Sequence, residues 1–135
     1  MPVVANSNKV RISPRKVSVV AALVRGRSVA DALVILEHTP RSSAKEVLEA
    51  VKSAKANAEH NHNFKPNSLF ISEISVSAGP RYRRYRPAAR GRALRFERKT
   101  DHNRVVVDGE QRVIKKAAAK TETKPSTDTQ AKGDK

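Results

Sequence analysis

This sequence predicts a mixed fold: helices first, strands after, and a cationic hairpin arm standing between two of the strands. Three observations lead there. Apolar residues recur at helical spacing in three successive segments between Pro14 and Ala58. The spacing then switches to period two in "LFISEISVSAG", residues 69–79. Immediately after, "RYRRYRPAARGRALRFERK", residues 81–99, sets nine basic residues against one acidic residue, Glu97.

The first helix is predicted in "VRISPRKVSVVAALVRGRS", after a strand end. Ser13 has the hydroxyl of an N-cap, and Pro14 suits the first helical position, where its missing N–H costs nothing. Val17, Val20, Ala21 and Val24 form one apolar stripe, and Gly26 follows as a left-handed C-cap. The second helix runs through "SVADALVILEHT". Ser28 and Asp31 resemble a capping box, and Val29, Leu33 and Leu36 make the buried face. Thr39-Pro40 opens a third, longer helix whose stripe is Ala44, Val47, Leu48, Val51, Ala54 and Ala58. Residues 63–67 form a loop around Pro66.

In the strand that follows, Phe70, Ile74, Val76 and Ala78 share one face, and Glu73, Ser75 and Ser77 the other. Gly79-Pro80 bends it. One returning strand is expected from Ala93 through "LRFERKT" to "RVVVDGE". The segment between is then an extended β-hairpin whose middle, "RYRPAARGR", has too few apolar residues to make a core. From Lys115 the composition falls to mostly Lys, Ala, Thr, Asp and Ser. Such a stretch has no apolar surface to offset the entropy of ordering and is expected to be a disordered basic tail, residues 115–135.

Charge narrows the function. Lys and Arg number 28 against 13 Asp and Glu, a formal net charge of +15 over 135 residues. More than half of that excess lies in the arm. A charge this large repels itself unless an anion neutralises it, and nucleic acid is the first candidate. Eight of the nine arm cations are arginines: Arg81, Arg83, Arg84, Arg86, Arg90, Arg92, Arg95 and Arg98, with Lys99 the ninth. Guanidinium donates paired hydrogen bonds to phosphate and stacks on bases, and Tyr82 and Tyr85 add rings able to stack on unpaired bases, which favours folded RNA over duplex DNA.

Catalytic readings fare poorly. "EHNH", residues 59–62, suggests a metal site, but His60 and His62 are two apart with no further ligand cluster, and a polar helix end explains them. Ser13 has no identifiable base, and no phosphate-binding glycine loop is present. The chain has no cysteine, which rules out disulfides and thiolate metal sites. No long apolar run and no secretory signal are visible. No enzyme activity, cofactor, metal, membrane span or small-molecule substrate is expected. Two rival readings share the charge: an architectural DNA-binding protein with a β-arm in a groove, and a cationic membrane-surface protein.

Three collinear segments go further. "RISPRKVSVVAALVRGRSVADALVIL" (residues 11–36), "SAKANAEHN" (53–61) and "GPRYRRYRPAARGRALRFERKTDHNRVVV" (79–107) together resemble the large-subunit ribosomal protein twenty-two family. The third segment carries that family's Gly-Pro, Pro-x-Ala-x-Gly-Arg-Ala and Arg-Thr-x-His elements in modified form. The resemblance implies an α+β body of three helices packed on a small antiparallel sheet, within one domain over residues 1–114. It implies a hairpin that threads large-subunit ribosomal RNA and lines the nascent-peptide exit tunnel, and a part in subunit assembly. Pro87, Ala88, Ala89, Arg90, Gly91, Arg92 and Ala93 would form the tunnel tip. Arg11, Arg15, Lys16, Arg25 and Arg27 around the first helix, and Asn57, His60 and Asn61 at the end of the third, would bind RNA with the arm cations. Implied partners are ribosomal RNA, neighbouring ribosomal proteins and the nascent polypeptide, on a cytoplasmic ribosome of bacterial or organellar type. Two positions depart from the pattern: Ala88 replaces an arginine usual after the tip proline, and Asp101 in "KTDHN" introduces a charge expected to repel nearby phosphate.

Overall fold

The computed structural model describes residues 2–112. The tail expected from Lys115 lies outside the described residues. In chain order the elements are β1 (Val3–Val10), α1 (Pro14–Val24), α2 (Val29–His38), α3 (Ser42–His60), β2 (Phe70–Ala78), β3 (Tyr82–Pro87), β4 (Ala93–Arg98) and β5 (Asp101–Asp108). Strands β1, β5 and β2 form an antiparallel sheet with β5 in the centre, and β3 pairs with β4 in a separate two-stranded ribbon. Helix α3 lies across β1 and β5, and α1 lies against β2. This is the α+β fold of three helices on a small antiparallel sheet.

The helical stripes close the core. Val17, Val20, Ala21 and Val24 of α1 are buried, as are Ala44, Val47, Val51, Ala54 and Ala58 of α3. They meet Val3, Ala5, Ile71, Ile74, Val105 and Val107 from the sheet. Alanines on α3 let its backbone approach the sheet closely. In α2 the buried face is Val29, Ala32 and Leu36; Leu33 of α2 and Leu48 of α3 are only partly buried against the core. Gly26 takes the left-handed conformation expected of it, with φ 74°. Its N–H donates to the Ile71 carbonyl at 3.0 Å, and the Ile71 N–H donates back to the Arg27 carbonyl at 2.9 Å, so the corner between α1 and α2 is hydrogen-bonded to β2.

Several expectations are corrected. The Ser13 hydroxyl makes no capping bond; the Ser13 carbonyl instead accepts from the Lys16 and Val17 amides at 2.9 and 3.3 Å. Helix α3 starts at Ser42, not at Pro40, because the Thr39 hydroxyl turns back to the Ile35 carbonyl at 2.7 Å and closes α2 first. Phe70 does not share the core face with Ile74. A bulge between Ile71 and Glu73 shifts the register, so Ile71 is buried and Phe70 is 46% exposed. Nor is there one returning strand: β4 and β5 are separate. Lys99 and Thr100 on one side oppose Gly79, Pro80 and Arg81 on the other, and this two-against-three mismatch interrupts the ladder. Thr100, 2% exposed, pins the junction: its hydroxyl donates to the Pro80 carbonyl at 2.6 Å, and its carbonyl accepts from the Gly79 amide at 2.8 Å. A Cβ on Gly79 would lie 2.5 Å from the Thr100 hydroxyl, so only glycine fits this approach.

Candidate nucleic-acid interface

The arm is a paired ribbon with almost nothing to pack against. Tyr82 pairs with Arg98, Arg84 with Phe96, Arg86 with Leu94 and Pro87 with Ala93. At about 3.3 Å per residue the ribbon reaches roughly 25 Å from the junction to its tip. Every residue of β3 and β4 is exposed except Phe96, which is half-buried. Among the described residues, the guanidinium groups of Arg83, Arg90, Arg95 and Arg98 have no protein partner. Arg81 meets Glu97 at 3.5 Å, an exposed pair worth little in water. The tip turns through Ala89–Gly91, where Arg90 and Gly91 take positive φ of 58° and 67° and the Ala88 amide donates to the Arg92 carbonyl at 2.8 Å. That conformation turns the chain sharply, with Arg90 and Arg92 exposed on the turn.

Register sorts the arm side chains onto two faces, because directly paired residues share a face. Tyr82, Arg84, Arg86, Leu94, Phe96 and Arg98 lie on one face; Arg83, Tyr85, Pro87, Ala93, Arg95 and Glu97 lie on the other. The two tyrosines therefore point to opposite sides. Arg86 lies over the Phe96 ring, 5.5 Å from its centroid, a cation–π contact on the first face.

The predicted body residues are not all brought together. Arg11, Arg15 and Lys16 lie at the end of the sheet from which the arm leaves. There they line clefts with Ser13, Arg81, Lys99 and Arg41. Nothing in the sequence marks Arg41, the N-cap residue of α3; its place beside Arg11 and Lys16 depends on α3 packing its first turn on α1, where the Ser43 hydroxyl donates to the Lys16 carbonyl at 3.3 Å. Asn57, His60 and Asn61 sit at the other end of α3, roughly 28 Å away at 1.5 Å per residue over 19 residues. Arg25 and Arg27 spend hydrogen bonds on the body: Arg25 donates to the Ile74 carbonyl at 3.0 Å, and Arg27 to the Leu23 carbonyl at 2.9 Å. Asp101 faces inward and is 0% exposed, so it offers no carboxylate on the surface to meet a phosphate directly. Burial raises the pKa of its carboxyl from the ordinary value, and neither oxygen has a close hydrogen-bond partner; the nearby Asn103 amide and the His102 ring only temper the shift. His102 is on the outer face of the sheet, and its Nδ1 accepts from the Lys9 amide at 3.1 Å.

This collar and arm present cations to a surface on which Glu97 is the one acidic residue lining the three clefts at the arm's base. Among the described residues no group of three His, Cys, Asp or Glu side chains is placed to hold a metal ion, and no helix is long and apolar enough to cross a membrane.

A family model described as "Ribosomal protein L22p/L17e" matches residues 5–108, which takes in the body, the junction and the whole arm. The chain belongs to that family. A protein named large ribosomal subunit protein uL22, from Herpetosiphon aurantiacus, is 48% identical over 98 residues, covering 73% of this chain and 87% of that relative.

Proposed function

We propose that this chain is a structural, RNA-binding constituent of the large ribosomal subunit. One domain, residues 1–114, carries the function. The arm threads ribosomal RNA, the collar at the arm end of the body docks against it, and the tip from Pro87 to Ala93 reaches the wall of the nascent-peptide exit tunnel. By holding RNA segments distant in sequence, the arm supports subunit assembly. The partners are ribosomal RNA, neighbouring ribosomal proteins and, at the tip, the nascent polypeptide.

The observation that carries this reading is the arm itself. A ribbon with this many unpartnered guanidinium groups repels itself in isolation and has no core to compensate. Phosphates on both sides would supply the missing acceptors. Family membership then selects ribosomal RNA among polyanions.

The tip assignment has a direct test, since the chain has no cysteine. A photoreactive cross-linker on the single cysteine of Arg90→Cys, in assembled ribosomes carrying a stalled nascent chain, should cross-link to that chain. The same probe on Lys52→Cys, on the exposed side of α3, should not. Cross-linking from position 52 but not from position 90 would refute the placement of the tip.

A further inference from the structure

Where the arm leaves the body, the interrupted ladder opens a cleft of about 340 Å³. Its wall on the arm side holds Tyr82 and Phe96, which register places diagonally on the same face. Its other walls hold Arg11 and Ser13 from the segment before α1, Arg98 at the end of β4, Lys99 and Thr100 just beyond it, and Glu97, whose carboxylate meets Arg81 at 3.5 Å. Tyr82 is 44% exposed, and Phe96 is half-buried with Arg86 across its ring. Tyr85, 68% exposed, stands on the opposite face of the arm, away from this cleft.

We propose that this cleft takes one unstacked ribonucleotide, with its base against the Tyr82 ring and its phosphate among Arg11, Arg98 and Lys99. The inference rests on the ribosomal RNA reading and adds a site to it. Three features select a single nucleotide over other anions. An aromatic wall favours a planar base, because every base offers a π-face for stacking. Arg11, Arg98 and Lys99 outnumber Glu97 around the rim, so its net charge is positive and suits a phosphodiester. The volume falls at the lower end of the range for sites that hold a small molecule. The two tyrosines accordingly have different tasks: Tyr82 receives a base at the arm's root, and Tyr85 faces whatever RNA passes the other side.

The chain has two tyrosines and no tryptophan, so Tyr85→Phe leaves Tyr82 as the only tyrosine emitter. Titration of that full-length variant with a single-stranded adenylate oligomer at low salt should quench its emission saturably. An abasic oligomer of the same length brings the same phosphates and should leave the emission unchanged. Tyr82→Ala should weaken oligoadenylate binding by roughly 5- to 150-fold, the range for losing one base stack, while Tyr82→Phe should stay within about twofold of the parent. Equal quenching by the abasic oligomer, or full affinity in Tyr82→Ala, would overturn the proposal. Stronger quenching by a polyglutamate peptide than by oligoadenylate would also overturn it and assign the cleft to an acidic protein segment. Binding of the unaltered chain to large-subunit ribosomal RNA, measured alongside, separates the two levels: if that binding is intact while the Tyr82 tests fail, only the cleft assignment falls.

Discussion

Neutralising the middle of the arm should change how salt governs RNA binding. The perturbation is Arg83→Gln, Arg84→Gln and Arg95→Gln together, three exposed side chains outside the core, on both faces of the ribbon. Each guanidinium–phosphate interaction removed should flatten the plot of log K against log salt by about 0.7 to 0.9. Three such interactions therefore give a slope shallower by roughly 2.1 to 2.7. Between 50 and 200 mM salt, a fourfold change, the parent should lose about 20- to 40-fold more affinity than the variant. The assay is filter binding of the isolated protein to large-subunit ribosomal RNA across that range. A matched control replaces Lys45, Lys52 and Lys55 with Gln on α3, where Glu46, Glu49 and Glu59 already balance the charge. Lys55 and Glu59 lie 3.9 Å apart, and Lys52 meets Glu37 at 3.7 Å. The control should leave the slope within about half a unit. An unchanged slope in the arm variant, or an equal change in the control, would refute the argument that the arm grips the phosphates.

Three further outcomes follow from the fold. Deleting residues 82–98 and joining the junction with a two-residue turn should move the thermal midpoint by no more than about 4 °C, since the arm gives the core nothing; loss of cooperative melting would show otherwise. Phe64, 1% exposed, seals the end of α3, with its amide donating to the Ala58 carbonyl at 3.0 Å. Phe64→Ala should cost about 3–5 kcal/mol in denaturant unfolding, and a cost under about 1 kcal/mol would contradict its place in the core. Asp101 has a raised carboxyl pKa, so the native state holds the proton more tightly than the unfolded chain. Its contribution is favourable only while protonated and is lost as pH rises from the ordinary value of 3.8 through the native one. Asp101→Asn should therefore gain thermal stability relative to the parent as pH rises through that window. A difference that stays constant from about pH 3.5 to 7 would refute it.

Much of this is legible in the sequence because helices announce themselves locally. The α1 stripe, Gly26 and the Ser28–Asp31 cap depend on spacing within one or two turns; Ser28 accepts from the Asp31 amide at 3.1 Å as its position suggests. The arm is legible for a different reason: a solvated ribbon needs no apolar alternation, so charge alone marks it. What sequence hides lies in strand pairing. The bulge at Ser72 swaps Phe70 for Ile71, and nothing in "LFISEI" signals an extra residue. Strand β1 reads from sequence only as an end, because Asn6, Ser7, Asn8 and Lys9 occupy an edge strand and a bulge where polar residues face solvent. The break at Lys99–Thr100 depends on a partner twenty residues back, Pro80, and so does the cleft it opens. The opposition of Tyr82 and Tyr85 follows from their odd spacing once both are on one strand. Arg41 joins the collar only through helix packing.

The central claim is that RNA holds this chain in the large subunit. Sedimentation of a tagged copy from cell lysate, after a high-salt wash and with or without ribonuclease, tests it most directly. Because RNA would enclose the arm, the account predicts that the protein stays with large-subunit particles through the wash and leaves them only when the RNA is digested. Release at moderate salt, with the protein then following chromosomal DNA, would contradict it.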